Sequence, residues 1–151
     1  MPKAKRRTTR AKSVSHTGGC LCGAVRFRAR GKPMYVSHCH CTMCRKASGA
    51  PVVTFAGYPT GTVTFTKGKP KLYRSSKIAV RGLCAKCGSQ LYFQFDHHPE
   101  RMGFNVGCFD HPEAFKPQRH IYTSTMIPWL HMKDGLPRER QGEAAREKRK
   151  G

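Results

Sequence analysis

The residues best suited to chemistry in this sequence are cysteines, and they fall into clusters. Cys20 and Cys22 form C-x-C in GGCLCG, and Cys39, Cys41 and Cys44 form C-x-C-x-x-C in HCHCTMCRK. Cys84 and Cys87 form C-x-x-C in GLCAKCGSQ, and Cys108 stands alone. Clustered cysteines serve either a disulfide framework or thiolate coordination of a metal. The basic N-terminus MPKAKRRTTRAKSVSHTGG has no apolar h-region, so a cytoplasmic, reducing location is expected, and disulfides are rare there. Cysteines one or two residues apart would also close strained rings. One ion at about 2.3 Å from each sulfur gathers thiolates from a tight turn without that strain, and thiolates select zinc over magnesium or calcium. Gly23 and Gly88, each following a cluster, suit turns in which a backbone amide approaches a thiolate.

Cys20, Cys22, Cys84 and Cys87 can make a closed, structural set that staples the first strand to a later hairpin. Cys39, Cys41 and Cys44 then offer three ligands from one loop, and three protein ligands leave the open position of a catalytic zinc. His38, His40 or Cys108 closing that position is an alternative, as is a triple that holds no ion at rest. Spacing alone leaves the pairing of the clusters open. Arg45 and Lys46 directly follow the triple, as partners for the carboxylates of an anionic substrate or as a solvated pair. Among the smaller features, His97-His98 before Pro99 reads as a turn and Asp110 as a turn residue. Trp129 reads as a core plug and Cys108 as a buried thiol. No Ser-His-Asp arrangement, P-loop or dinucleotide fingerprint is present, which leaves a nucleotide cofactor without support.

The elements that must position these residues read as strands. Apolar residues alternate with polar ones in Ala24–Arg30, Thr62–Thr66, Leu91–Phe95 and Met102–Cys108, so one side of each segment faces a core. Pro51–Phe55 and His120–Thr125 are further strand candidates, and a short helical turn fits Thr42–Ser48. Turns are signalled at Gly31-Lys32-Pro33, Gly57–Gly61, Gly68-Lys69-Pro70 and His97-His98-Pro99. The reading is one mostly antiparallel β domain over about 16–132.

A chain of 151 residues with 38% apolar content holds one domain with a modest core, which metal staples would help to hold. No run approaches 18 apolar residues, so no membrane span is expected. The formal charge is +21. Six bases and no acid lie within residues 1–15, seven bases and four acids within 133–151, and a surplus of twelve bases remains between them. Both ends are polar, which predicts a disordered basic tail over 1–15 and a charged flexible tail over 138–151. Arg26, Arg28 and Arg30 share one strand face, and this stripe with the tail motivates an alternative reading as a non-catalytic module for nucleic acid or another anion. The cysteine spacings fit no C₂H₂ finger, so the charge is the sole motive for that reading, and nucleic acid is expected only through the tail.

Taken together, GGCLCGAVRF, HCHCTMCRKASGAP, LCAKCGSQLYF and GCFDHPEAFKPQRHIYTSTMIPWL, in this order, resemble the family of glutathione-dependent formaldehyde-activating enzymes, a domain shared with centromere protein V. The resemblance covers residues 16–137. It implies an Mss4-like fold, with twisted antiparallel sheets around a structural Cys₄ zinc site. By the family pattern Cys20, Cys22, Cys84 and Cys87 would hold structural zinc, and Cys39, Cys41 and Cys44 a catalytic zinc. His120 lies in the HIYT segment that the family shares, which implies packing near the site for it. The implied activity is that of a carbon–sulfur lyase forming S-hydroxymethylglutathione from formaldehyde and glutathione, or acting on a related thiol and aldehyde, with glutathione as co-substrate.

Overall fold

The computed structural model describes residues 13–142. All but the last three residues of the basic tail over 1–15 lie outside the described residues, as does 143–151 of the charged tail. Residues 138–140 lie along strand β10: the Glu139 amide donates to the His120 carbonyl at 2.8 Å and the His120 amide to the Pro137 carbonyl at 2.8 Å.

Ten strands form two sheets. The smaller has the order β1 (Ser15–Gly19), β2 (Arg26–Arg30), β5 (Val63–Lys67). The larger runs β10 (Arg119–Ile121), β3 (Tyr35–Cys39), β4 (Val53–Pro59), β9 (Arg101–Asn105), β8 (Gln90–Phe95), β7 (Ala79–Leu83), β6 (Lys71–Arg74). Every pairing is antiparallel except β10 with β3. The mostly β expectation is met. One helix, α1 (Thr42–Ser48), follows β3 over the residues the sequence pointed to, and it stops at Gly49, whose φ of 70° ends the helix without a Cβ clash.

The core lies between the sheets. On β2 the period of two buries Phe27 and Ala29 and leaves Arg28 and Arg30 exposed. Phe27 meets Phe104 at a centroid distance of 4.4 Å and Phe109 edge-on at 5.1 Å. Each such fully buried ring is worth about 1.5–3 kcal/mol over an exposed one. Val36, Ala56, Tyr58, Leu91, Tyr92, Met102 and Phe104 are the larger sheet's main contribution to this core. The alternate residues of the same strands, Tyr35, Ser37, Cys39, Phe55, Gly103 and Phe93, point the other way and line a cavity. The sheet therefore carries the core on one face and the cavity on the other.

Several local readings are corrected. The alternation over Met102–Cys108 ends as a strand at Asn105, and Val106–Cys108 is a 3-10 turn. His120–Thr125 is a strand only to Ile121, because Tyr122 turns the chain at φ 55° into a 3-10 turn over Thr123–Thr125. Gly57–Gly61 begins inside β4, since Gly57 pairs with Tyr35 across β3. Trp129 is 67% exposed and plugs no core.

Asp110 has a larger role than a turn residue. Its carboxylate accepts from Arg26 Nη1 at 2.9 Å and from Thr17 Oγ1 at 2.6 Å, tying the segment after β9 to β1 and β2. The Arg26 guanidinium and then the Thr17 hydroxyl hold its pKa down at about 2. A depressed carboxylate stabilises the fold fully above its unfolded value of about 3.9 and loses that contribution as pH falls through the folded value. With both side chains about one-third exposed, solvent screening reduces the pair. Asp110→Asn should therefore cost about 1 kcal/mol in urea unfolding at neutral pH. The gap to wild type should close near pH 2.

Candidate metal centre and substrate cavity

Two turns bring four cysteines together. Cys20 and Cys22 sit between β1 and β2, and Cys84 and Cys87 between β7 and β8. Their sulfurs lie within 4.8 Å of one another, with Cys20–Cys22 at 3.6 Å and Cys22–Cys84 at 3.8 Å. Each turn is closed by a glycine in the left-handed region, Gly23 at φ 76° and Gly88 at φ 78°. The turns also aim amides at sulfur: the Val25 amide donates to Cys20 Sγ at 3.2 Å and the Cys87 amide to Cys84 Sγ at 3.5 Å. Amides directed at sulfur favour the thiolate, and the Ser89 hydroxyl, then its amide, hold the Cys87 thiol down at about 5. All eight cysteines are unpaired thiols, so this set fits a thiophilic metal and not a disulfide network.

Cys39 ends β3, Cys41 is the cap residue of α1, and Cys44 lies one turn into the helix. Cys39 and Cys44 are buried and Cys41 is half-buried. The three thiols shift one another's acidity. Hydrogen bonds from Cys39 and Cys44, then the Cys44 and Met43 amides, draw the Cys41 thiol down to about 2, while those to Cys41 and Cys44 push Cys39 far up. Within the cluster Cys41 is therefore the sulfur most favoured as a thiolate. Its sulfurs are not drawn together as tightly as the quartet, which is the one all-cysteine group within 4.8 Å among the described residues.

The triple lines a cavity of about 870 Å³ on the open face of the larger sheet. The wall is aromatic at Tyr35, Phe55, Phe93 and Phe95, and its bases are Lys77, Arg81, Arg101 and Arg119. Arg45 and Lys46, on the helix after the triple, are not among the lining residues; Arg45 Nη2 donates to Thr42 Oγ1 at 3.3 Å. Cys108 is not among the cavity's lining residues; its thiol donates to the Gln90 carbonyl at 3.2 Å.

Arg81 is the base that sequence reasoning missed. It is 7% exposed, and its Nη2 donates to Cys44 Sγ at 3.5 Å. With the Gln90 amide turned to satisfy both its neighbours, its oxygen accepts from Arg81 Nη1 at 2.8 Å and its nitrogen donates to the Ala47 carbonyl at 3.1 Å. Arg81 thus connects β7, β8, α1 and the thiol cluster. An arginine in the middle of AVRGL reads as solvent-facing from sequence, because burial of a charge needs partners that spacing does not reveal.

A family model described as glutathione-dependent formaldehyde-activating enzyme matches residues 15–125. The chain belongs to this family. An uncharacterized lyase of Schizosaccharomyces pombe is 34% identical over 94 residues, which is 62% of this chain and 68% of the relative. A Halomonas elongata protein that carries the family's name is 25% identical over 124 residues, 76% of this chain and 79% of its own. A crystal structure of a Rhodobacter sphaeroides protein superposes with a TM-score of 0.51 at 20% identity, covering 81% of this chain and 98% of that one, which supports the fold.

This formaldehyde-activating-enzyme domain also holds a histidine network behind the cysteines. His40 Nε2 and His120 Nδ1 are 2.8 Å apart, and His120 Nε2 lies 2.8 Å from Asp134 Oδ2. Both histidines are fully buried, and burial, then the charge of His120, pushes His40 down to about 4. His120 packs against His38, with ring centroids 4.9 Å apart. No helix among the described residues is long and apolar enough to cross a membrane.

Proposed function

We propose that this chain adds an anionic thiol, glutathione or a close relative, to an aldehyde in the cavity lined by Cys39, Cys41 and Cys44, and reverses the same reaction. The observation that carries this reading is the convergence of three cysteines and the buried Arg81 on one aromatic-walled cavity. In the forward direction the thiolate sulfur forms a bond to the carbonyl carbon, the carbonyl π pair moves to oxygen, and that oxygen takes a proton to give the hydroxymethyl thioether. Membership of the family and a relative named as a lyase agree with carbon–sulfur bond making and breaking.

Zinc fits both cysteine groups by the chemistry of their donors. Cys20, Cys22, Cys84 and Cys87 would hold a structural ion, and Cys39, Cys41 and Cys44 a second ion with an open position. When bound at the triple, zinc supplies a lowered thiol pKa for the incoming sulfur, or polarises the aldehyde oxygen. The chain's own residues do the rest. Lys77 and Arg81 place positive charge on the cavity wall, where a thiol with two carboxylates would dock, while Arg119 is paired there with Glu139 at 3.5 Å. Aromatic side chains at Phe55, Phe93 and Phe95 exclude water from the reacting groups. Arg81, donating to Cys44 Sγ, would stabilise that sulfur as a thiolate once its proton is lost to an incoming ion.

Exchange between free formaldehyde and glutathione, followed by NMR at several protein concentrations, tests the reading. It predicts an exchange rate proportional to protein, and a rate equal to the uncatalysed one would overturn it. Arg81→Met should lower turnover by about 10–100-fold, the worth of one charged hydrogen bond of roughly 1.5–3 kcal/mol. Arg81→Lys should recover only part, because an ammonium cannot span Cys44 and Gln90 together.

A further inference from the structure

Parallel pairing of β10 with β3 sets His120 directly beside His38, on the face of the sheet opposite the cavity. Asp134, from the segment after β10, reaches the same point, so that one ligand atom from each of His38, His120 and Asp134 lies within 4.8 Å of the others. The second nitrogen of each imidazole already has a partner. His38 Nδ1 lies 2.8 Å from Thr54 Oγ1 on β4, and His120 Nδ1 lies 2.8 Å from His40 Nε2. Outer partners of this kind fix tautomer and ring orientation in metal-binding histidines and leave Nε2 for the ion. Burial grades from His120, fully enclosed, through His38, half-buried, to Asp134, exposed, so the group has one side open to solvent. Two imidazoles and one carboxylate make a three-ligand set for a transition metal with open positions.

We propose that His38, His120 and Asp134 form a second kind of metal site, one that binds a divalent transition-metal ion through nitrogen and oxygen and is separate from both cysteine groups. Occupancy needs no new side chain. The His120 proton moves to Nδ1 and is donated to His40 Nε2, whose own proton shifts to His40 Nδ1, a buried atom without a partner in the structure. The Asp134 carboxylate exchanges its hydrogen bond from His120 Nε2 for the ion. Soft thiolates select zinc and cuprous ions, whereas this set favours cobalt, nickel, iron or zinc, so the ion at the histidines need not be the one at the cysteines.

The test uses the full, untagged chain with its cysteine groups loaded with zinc, titrated with Co²⁺ and read by native mass spectrometry and visible absorption. Wild type should take up one ion more than Asp134→Asn or His38→Gln. The added ion should show weak d–d bands without thiolate-to-cobalt charge transfer. Thr54→Val, which removes only the outer partner of His38, should weaken uptake by about 10–100-fold with an unchanged melting temperature. Cys41→Ser should keep the extra ion even where thiol–aldehyde exchange is lost, so failure of the proposed reaction and failure of this site are separable. Equal Co²⁺ uptake by wild type, Asp134→Asn, His38→Gln and Thr54→Val would overturn the proposal, as would uptake accompanied only by thiolate charge transfer.

Discussion

Cys84→Ser is expected to abolish cooperative folding. Cys84 is 1% exposed and belongs to both the metal quartet and the main core cluster, so the change empties a ligand position and plants a hydroxyl in apolar surroundings. If the quartet holds zinc as proposed, the larger loss is the ion. Structural zinc in small domains contributes about 10–16 kcal/mol of apparent binding free energy, which exceeds the net stability of a typical domain, about 5–15 kcal/mol. The quartet also joins the β1–β2 turn of one sheet to the β7–β8 turn of the other, so its loss frees the smaller sheet at that end. Circular dichroism should show no cooperative melt for Cys84→Ser, and a strong chelator should produce the same state from wild type. A cooperative transition within a few degrees of wild type would show that the quartet holds no ion that matters to folding.

Cys41→Ser is expected to give the opposite pattern, a folded protein without activity. Cys41 is half-buried at the start of α1 and lies outside the main core cluster, so its replacement by a smaller polar group leaves the packing between the sheets untouched. It is, however, the sulfur of the triple most favoured as a thiolate, with two thiols and two amides directed at it. A serine hydroxyl stays protonated at neutral pH and cannot replace that thiolate. The exchange rate should fall by about 10³-fold, the worth of the several kcal/mol a metal site supplies, with a melting temperature within a few degrees of wild type. The pH dependence has a definite sign. Cys39 and Cys44 are both pushed up and remain protonated in the metal-free cluster, so metal uptake must expel their protons. Affinity at the triple should rise with pH, with about two protons released per ion in an unbuffered titration. Proton release near zero would show that the triple is already a trianion or binds no ion.

The cysteine clusters and α1 were legible because their signals are local: ligands one or two residues apart, and a seven-residue helix stopped by glycine. Strands with one wet face, such as β2, were legible for the same reason. β3 was not, since YVSHC buries Val36 and Ser37 in succession between a core and a cavity and shows no alternation. β6 was hidden by the reverse condition, with all four residues of KLYR exposed at a sheet edge. Arg81, and the meeting of His40, His38, His120 and Asp134, depend on which strands become neighbours, and the parallel pairing of β10 with β3 is a long-range event that no local pattern encodes.

Three glycines stand directly across from aromatic rings: Gly57 opposite Tyr35, Gly82 opposite Tyr92, and Gly103 opposite Phe93. In each case the ring occupies the space a side chain would need, so a Cβ there would collide with it. Two of these rings, Tyr35 and Phe93, are walls of the cavity. Its breadth is therefore governed by hydrogen atoms on the floor beneath the rings. A single methyl at position 57 or 103 would lift a ring into the void while leaving every cysteine where it is. Descendants of this chain have a dial for cavity breadth that is mechanically independent of the cysteines, and selection can turn it one carbon at a time.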